Sequence, residues 1–276
     1  MASADAQDVI LSRAGSVLGR NSILKDDHFP GCQNTRLTPL VEGAPNFRQV
    51  DGLPVYGVAI PTVSGLRNVL DAVGGKSRRV LWHSMREEPL VYVNGQPFVL
   101  REAERPFSNL ELTGITRDRV EQMESRLRED VLAESKRYGG RVLVSRELAG
   151  GQVVDSWEQV ISVQTPLEVY SMLSSEGYEL SYVRIPITDE KVCCARHSLC
   201  TTCAKLGHAG AQEQRLRLDC APLRSCGRGD GACVQLPDGT RAHHHGHDHR
   251  RARALPPTPG AAATAFVDKT DVEQRR

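Results

Sequence analysis

RIPITDEKVCCARHSLCTTC, residues Arg184–Cys203, opens like the end of a buried strand and closes as a cysteine-rich tail. The break falls near Lys191, and it divides the whole chain. Residues 1–190 hold 21 Lys+Arg against 26 Asp+Glu, whereas residues 191–276 hold 14 against 8. Of the eight cysteines only Cys32 precedes the break, and seven of the nine histidines follow it. The C-terminal part has no Ile, Met, Tyr or Trp, and Phe266 is its only aromatic residue. Such a segment offers little apolar surface to offset the roughly 1–2 kcal/mol per residue needed to order a backbone. Residues 191–276 are therefore expected to be a low-order, disordered tail. Residues 1–190 have the composition of a domain with a core.

Upstream of the break, strand and helix signals alternate. Leu180–Ile187 predicts a strand. Thr165 predicts the cap of a helix carrying Leu167, Val169, Tyr170 and Leu173. Arg141–Ser145 is a strand, preceded by Gly139-Gly140 and by a helix over Thr116–Tyr138 with Val120, Met123, Leu127, Val131 and Tyr138 near one stripe. Leu90–Leu100 reads as a hairpin, because Asn94-Gly95 accepts positive φ at both turn positions. Arg79–His83 is a short strand. Thr62 or Ser64 caps a helix through Val73, and Pro45–Val50 and Pro54–Ile60 are two short strands around Asp51-Gly52. The alternation predicts an α/β domain with a mostly parallel sheet and flanking helices.

A set of motifs runs through this domain in order: Gly15-Ser-Val-Leu-Gly19, Asp27–Gln33, Asn46-Phe-Arg48, Gly57–Thr62, Leu81–Gly95, Glu104–Phe107, Thr113-Gly-Ile115 and Pro186-Ile-Thr-Asp189. In these residues the chain closely resembles a repeat of the paladin family. More distantly it is similar to the cysteine-dependent, phytase-like inositol polyphosphate phosphatases related to tyrosine phosphatases. The resemblance runs from about Gly15 to Glu190. It implies a tyrosine-phosphatase-like fold, a phosphorylated substrate or inositol phosphate as partner, and no cofactor.

The chemistry implied by the resemblance has two halves. One is a Cys-x5-Arg loop, with Arg at the sixth place beyond the Cys nucleophile, whose amides and helix dipole hold a phosphate and lower the thiol pKa. The other is an Asp that protonates the leaving oxygen. Asp189 matches the general-acid position, the alternative being a cap on the next turn. The nucleophile half is missing: the residue six places beyond each Cys is Thr38, Leu199, Cys200, Leu206, Ala209, Cys226, Ala232 or Gly239, never Arg. By resemblance Arg86, with Glu87 and Glu88, lies near the substrate, and Arg48 shares that reading; for both arginines the competing reading is structural, for Arg86 an ion pair with a neighbouring acid. His83 reads as a packed strand-end residue rather than a base, and Cys32 as inert.

Two readings of the whole chain follow. In the first, it is a paladin-like phosphatase domain that stops after the acid loop. It is inactive as it stands, with a sheet left incomplete and a tail of the composition expected from a shifted frame, a retained intron or a misassigned exon. In the second, it is a pseudophosphatase binding or regulatory module whose tail is a flexible or zinc-dependent arm. Cys200-x2-Cys203 has zinc-ligand spacing, and Cys220 and Cys226 are candidates to complete four ligands, although the tail lacks an apolar set to pack around the metal. Its basic residues are scattered without interleaved aromatics, so nucleic acid is not an expected partner. No apolar run reaches the roughly 18–20 residues of a membrane span, and Met1–Asp8 does not read as a secretory signal. The expected location is the cytoplasm, where thiols stay reduced.

Overall fold

The computed structural model describes residues 5–32, 36–37, 39–187 and the strand 263–267. A short helix, α1 (Ala6–Ser12), leads into β1 (Ser22–Asp26). β2 (Arg48–Gln49), β3 (Val55–Val58), α2 (Val63–Ala72) and β4 (Val80–Ser84) follow. Next come the hairpin strands β5 (Leu90–Val93) and β6 (Gln96–Glu102), and the long helix α3 (Arg117–Arg137). Then come β7 (Arg141–Glu147), β8 (Val153–Gln159), β9 (Val163–Gln164), α4 (Pro166–Ser175) and β10 (Leu180–Arg184). The last element is β11 (Ala263–Val267).

These strands form two sheets. The larger runs β8-β7-β1-β6-β5-β9, and the smaller runs β10-β4-β11-β3-β2. The expected parallel pairing is concentrated in the smaller sheet, where β10, β4, β11 and β3 all run the same way and only β2 is antiparallel. The larger sheet is antiparallel except for β1 against β7. The architecture is mixed α/β with helices against the sheets.

Local chemistry sets the element ends. Thr62, not Ser64, caps α2, its hydroxyl accepting from the Gly65 amide at 3.0 Å. Thr116 caps α3, and Thr165 forms a capping box with Glu168 at the start of α4. Asn94 and Gly95 have φ of 51° and 78°, the turn geometry that the β5–β6 hairpin requires. Asn94 does more than turn the chain. Its side chain donates to Gln159 O (2.7 Å) and Glu158 Oε1 (2.9 Å) and accepts from the amides of Ile161 (2.8 Å) and Ser162 (3.1 Å). The hairpin turn is thereby fastened to the β8–β9 connection.

Burial follows the two sheets. One apolar cluster joins α2 and α4 to the smaller sheet through Val58, Leu66, Leu70, Val80, Trp82 and Leu173. A second packs α3 on the larger sheet through Leu127, Val131, Leu24, Phe98, Val142 and Val144. On α3 the apolar stripe holds Val120, Leu127 and Val131 as expected, but Met123 and Tyr138 are only partly buried and Glu124 and Glu134 take interior positions. Both carboxylates are buried because each meets an arginine brought in from elsewhere, a pairing that the sequence of the helix does not display.

The smaller sheet is not left open where the strand pattern of the sequence ends. β11, from the segment expected to be low-order, lies between β3 and β4 and pairs in parallel with both. Its five residues, Ala-Thr-Ala-Phe-Val, are too few to stand out by periodicity in a Gly/Ala/Arg/Pro-rich surrounding. The rest of residues 191–276 lies outside the described residues.

Candidate functional site

In parallel sheets, ligands bind at the carboxyl ends of the strands. Here that edge carries the residues after β4 (Met85–Glu88), the end of β10 (Arg184) and the start of the segment after it. Arg48 also lies there, because antiparallel β2 places it opposite Gly57 near the end of β3. The Arg48 guanidinium crosses β3 at Gly57 so closely that a Cβ on that glycine would sit 2.9 Å from its central carbon. Arg48 Nη1 donates to Asn46 O at 2.9 Å.

Arg86 is buried and turned inward. It pairs with Asp27 Oδ2 at 2.9 Å and with Glu88. Glu88 is fully buried and receives a second guanidinium, Arg101, together with the Leu110 amide at 2.9 Å. Arg101 also donates to Asn109 Oδ1 at 2.6 Å. Burial pulls its pKa down against the upward pull of Glu88.

A third arginine closes the network. Arg184, at the end of β10, donates to Arg86 O at 2.6 Å and to Glu88 O at 2.9 Å, and its Nη1 lies 3.0 Å from Glu124 Oε1 on α3. Burial pushes the Glu124 carboxyl up to about 7, opposed by Arg184 and by the Leu90 amide. The loop after β4 is thus gripped on its backbone by Arg184 and through its side chains by Asp27 and Arg101. Three guanidiniums (Arg86, Arg101, Arg184) meet three carboxylates (Asp27, Glu88, Glu124). In a low-dielectric setting each removed partner would leave a buried charge, so this array is rigid.

Asp27 owes its place to β1. Next to it, Asp26 accepts from the Glu147 amide at 2.8 Å, and Lys25 pairs with Glu147 Oε2 at 2.7 Å beneath the Phe29 ring. Burial raises the Asp26 carboxyl to about 6, while the Glu147 amide and Lys25 pull the other way.

The sequence candidates are distributed as follows. Arg86 and Glu88 share one buried network, and Arg48 sits on β2 at the same sheet edge. His83 is buried in β4, and burial lowers its pKa, which disfavours the charged ring. Cys32 is buried with its Sγ 3.7 Å from His28 Nδ1, in the loop that follows β1. Asp189 lies outside the described residues, as do Cys200, Cys203, Cys220 and Cys226. The chain leaves β10 along the same edge, with Ile187 N bonded to Met85 O at 3.0 Å. Among the described residues no group of three or more His, Cys, Asp or Glu is placed to hold a metal ion. None of the helices among them is long and apolar enough to cross a membrane.

Sequence reasoning named Arg86 and Glu88 but not Arg101, Arg184 or Glu124 as their partners. One signal was available. Arg184 interrupts an otherwise apolar strand, and Glu124 interrupts an apolar stripe; two such interruptions of opposite sign are candidates to meet.

The family model of PTP-like phytases, described by inositol hexakisphosphate, matches residues 83–196, which include His83, Arg86, Glu88 and Arg184. Among solved structures, the PTP-like myo-inositol phosphatase from Mitsuokella multacida, in complex with myo-inositol-(1,3,4,5)-tetrakisphosphate, overlaps 63% of this chain and 29% of its own. The overlap has 17% identity and a TM-score of 0.42. A PTP-like phytase from Bdellovibrio bacteriovorus overlaps 52% of this chain and 45% of its own at 21% identity, with a TM-score of 0.33. Residues 83–196 are thus similar to PTP-like phytase domains.

Among curated relatives, paladin from Gallus gallus is 28% identical over 174 residues, 62% of this chain and 19% of the relative. Paladin from Homo sapiens is 27% identical over 188 residues, 66% of this chain and 19% of the relative. The chain is thus similar to paladins at 27–28% identity over about two thirds of its length. It spans about a fifth of the length of these paladin relatives.

Proposed function

We propose that this chain is a phosphatase-like domain of the inositol-phosphate type that does not turn substrate over. The observation that carries the reading is the state of the cations at the sheet edge. Arg86, the candidate for substrate phosphate, is drawn to Asp27 and Glu88, and the network around it has as many carboxylates as guanidiniums. An oxyanion entering there must displace a carboxylate that is already desolvated and hydrogen-bonded, which costs several kcal/mol for a buried charge. The sequence adds that no Cys is followed at the sixth place by Arg, so a thiolate and a phosphate-gripping guanidinium do not come from one loop. Asp189 stands at the general-acid position in this reading, without a nucleophile to serve.

The test is phosphate release from inositol hexakisphosphate and from an aryl phosphate by the purified full chain, without metal, beside the same protein after alkylation of its thiols. The expected result is equal background release from both samples. Release that alkylation abolishes would overturn the proposal, and Cys32→Ser would then show whether the thiol beside His28 is responsible.

A further inference from the structure

The smaller sheet is built in an unusual order. Its central strand is contributed last, from residues 263–267, after both strands beside it and both edge strands have been laid down by residues 48–184. The two walls are fixed without it. β3 is held by β2, by Val50 N to Val55 O (2.9 Å) and by Ala59 N to Pro45 O (2.9 Å). β4 is held by its full pairing with β10, by Val80 N to Glu179 O (2.8 Å) and by Ile185 N to Ser84 O (2.7 Å). Both walls pack into one apolar cluster with α2 and α4, through Val58 on one side and Val80 and Trp82 on the other. The slot between them is thus framed by elements that end at Arg184.

β11 fills that slot completely. It pairs with β3 from Thr264↔Val55 to Val267↔Val58 and with β4 from Ala263↔Val80 to Val267↔Ser84. An empty slot would leave two facing rows of backbone donors and acceptors, each costing about 1–3 kcal/mol where buried. The demand for a strand is therefore strong. The strand that meets it is joined to β10 only through residues 185–262.

We propose that the β3–β4 slot is a strand-acceptor site, that residues 263–267 of this chain are its occupant, and that this occupant is a removable insert which the same segment supplied from outside the chain replaces. Recognition is through main-chain hydrogen bonds to both walls, in parallel register. This inference does not depend on whether the domain turns over phosphate.

The experiment uses the full chain. Ala265→Pro removes one backbone donor and the extended register at the middle of β11. Hydrogen exchange is followed at the amides of Val55–Val58 and Val80–Ser84, with those of Leu90–Val93 and Gln96–Glu102 in the larger sheet as the internal reference. Protection in the original protein, its loss in both walls of the Ala265→Pro chain, and its return on adding excess synthetic peptide of residues 258–276 are expected. Walls that stay protected in the variant would show that β11 is not their partner. If the variant loses protection in the reference strands as well, the peptide must restore both sheets, and failure to do so overturns exchangeability. A peptide with the same Ala265→Pro change must have no effect; equal rescue by it would remove the main-chain basis of the proposal.

Discussion

The two sheets solve the same packing problem from opposite ends. In the larger, four of the five pairings are antiparallel, and two of them, β5–β6 and β7–β8, join strands adjacent in sequence. In the smaller, three of the four pairings are parallel and join strands distant in sequence. Antiparallel neighbours need only a tight turn, whereas parallel neighbours need a crossover. The larger sheet is therefore fastened locally, by the Asn94 side chain at its turns. The smaller sheet is fastened at its carboxyl edge by charges that come from five places: the segment after β1, the loop after β4, β6, β10 and α3. Helix α3 serves both, placing Glu124 against Arg184 of the smaller sheet and Glu134 against Arg13 beside the larger. Arg13 in turn donates to Ser22 O at 2.6 Å and Leu143 O at 2.7 Å.

The largest effect is expected where the comparison is most exposed, at Arg184. Arg184→Met leaves Glu124 buried without its cation and releases the carbonyls of Arg86 and Glu88. Breaking one side of a buried pair costs about 3–5 kcal/mol. Adding Glu124→Leu removes the stranded charge, and the double variant should recover much of that loss. Urea unfolding of the two single variants and the double variant measures this. A double variant no more stable than Arg184→Met would mean that Arg184 acts through the two carbonyls rather than through Glu124.

A smaller effect is expected at the local fastening of the larger sheet. Asn94→Gly deletes the side chain's two donors and one acceptor while keeping the positive φ of the turn, and the amides of Ile161 and Ser162, both in exposed residues, fall back on water. The cost is about 1–3 kcal/mol. Exchange should rise first at Val163–Gln164 and Val153–Gln159, with Val80–Ser84 unchanged. Equal loosening of β4 would show that the two sheets do not open separately.

The same contrast explains what could be read from the sequence. The Asn94-Gly95 hairpin, the Thr165 cap and the Gly139-Gly140 stop to α3 are local signals, and each falls where the residues place it. Arg86 and Glu88 were identifiable as a charged pair beside a strand end. Their partners were not, because Asp27, Arg101, Arg184 and Glu124 are dispersed along the chain and only the fold brings them together. β1 passed unnoticed for a related reason. Ser22–Asp26 carries Lys25 and Asp26, which read as solvent-facing until Glu147 is placed beside them. β11 is the extreme case, a strand defined almost entirely by its slot.

One pair breaks the division between the sheets. β1 and β7 are the parallel pair of the larger sheet, and at their carboxyl ends the Asp26 carboxylate accepts from the Glu147 amide while Lys25 pairs with the Glu147 carboxylate. Burial raises Asp26 from 3.8 to about 6, so the folded state binds its proton more tightly than the unfolded chain does. The stabilisation it contributes is complete below pH 3.8 and fades as the pH rises through about 6, the reverse of a carboxylate whose pKa is lowered by folding. Asp26→Asn keeps an oxygen for the Glu147 amide and removes the titration. Across the window set by those two pKa values, the stability of the original protein should fall relative to that of the variant, as read by urea unfolding at several pH values. A difference that is flat with pH would mean that Lys25 holds Asp26 ionised throughout; the carboxyl end of the β1–β7 pair would then be a fixed charge cluster like the one around Glu88.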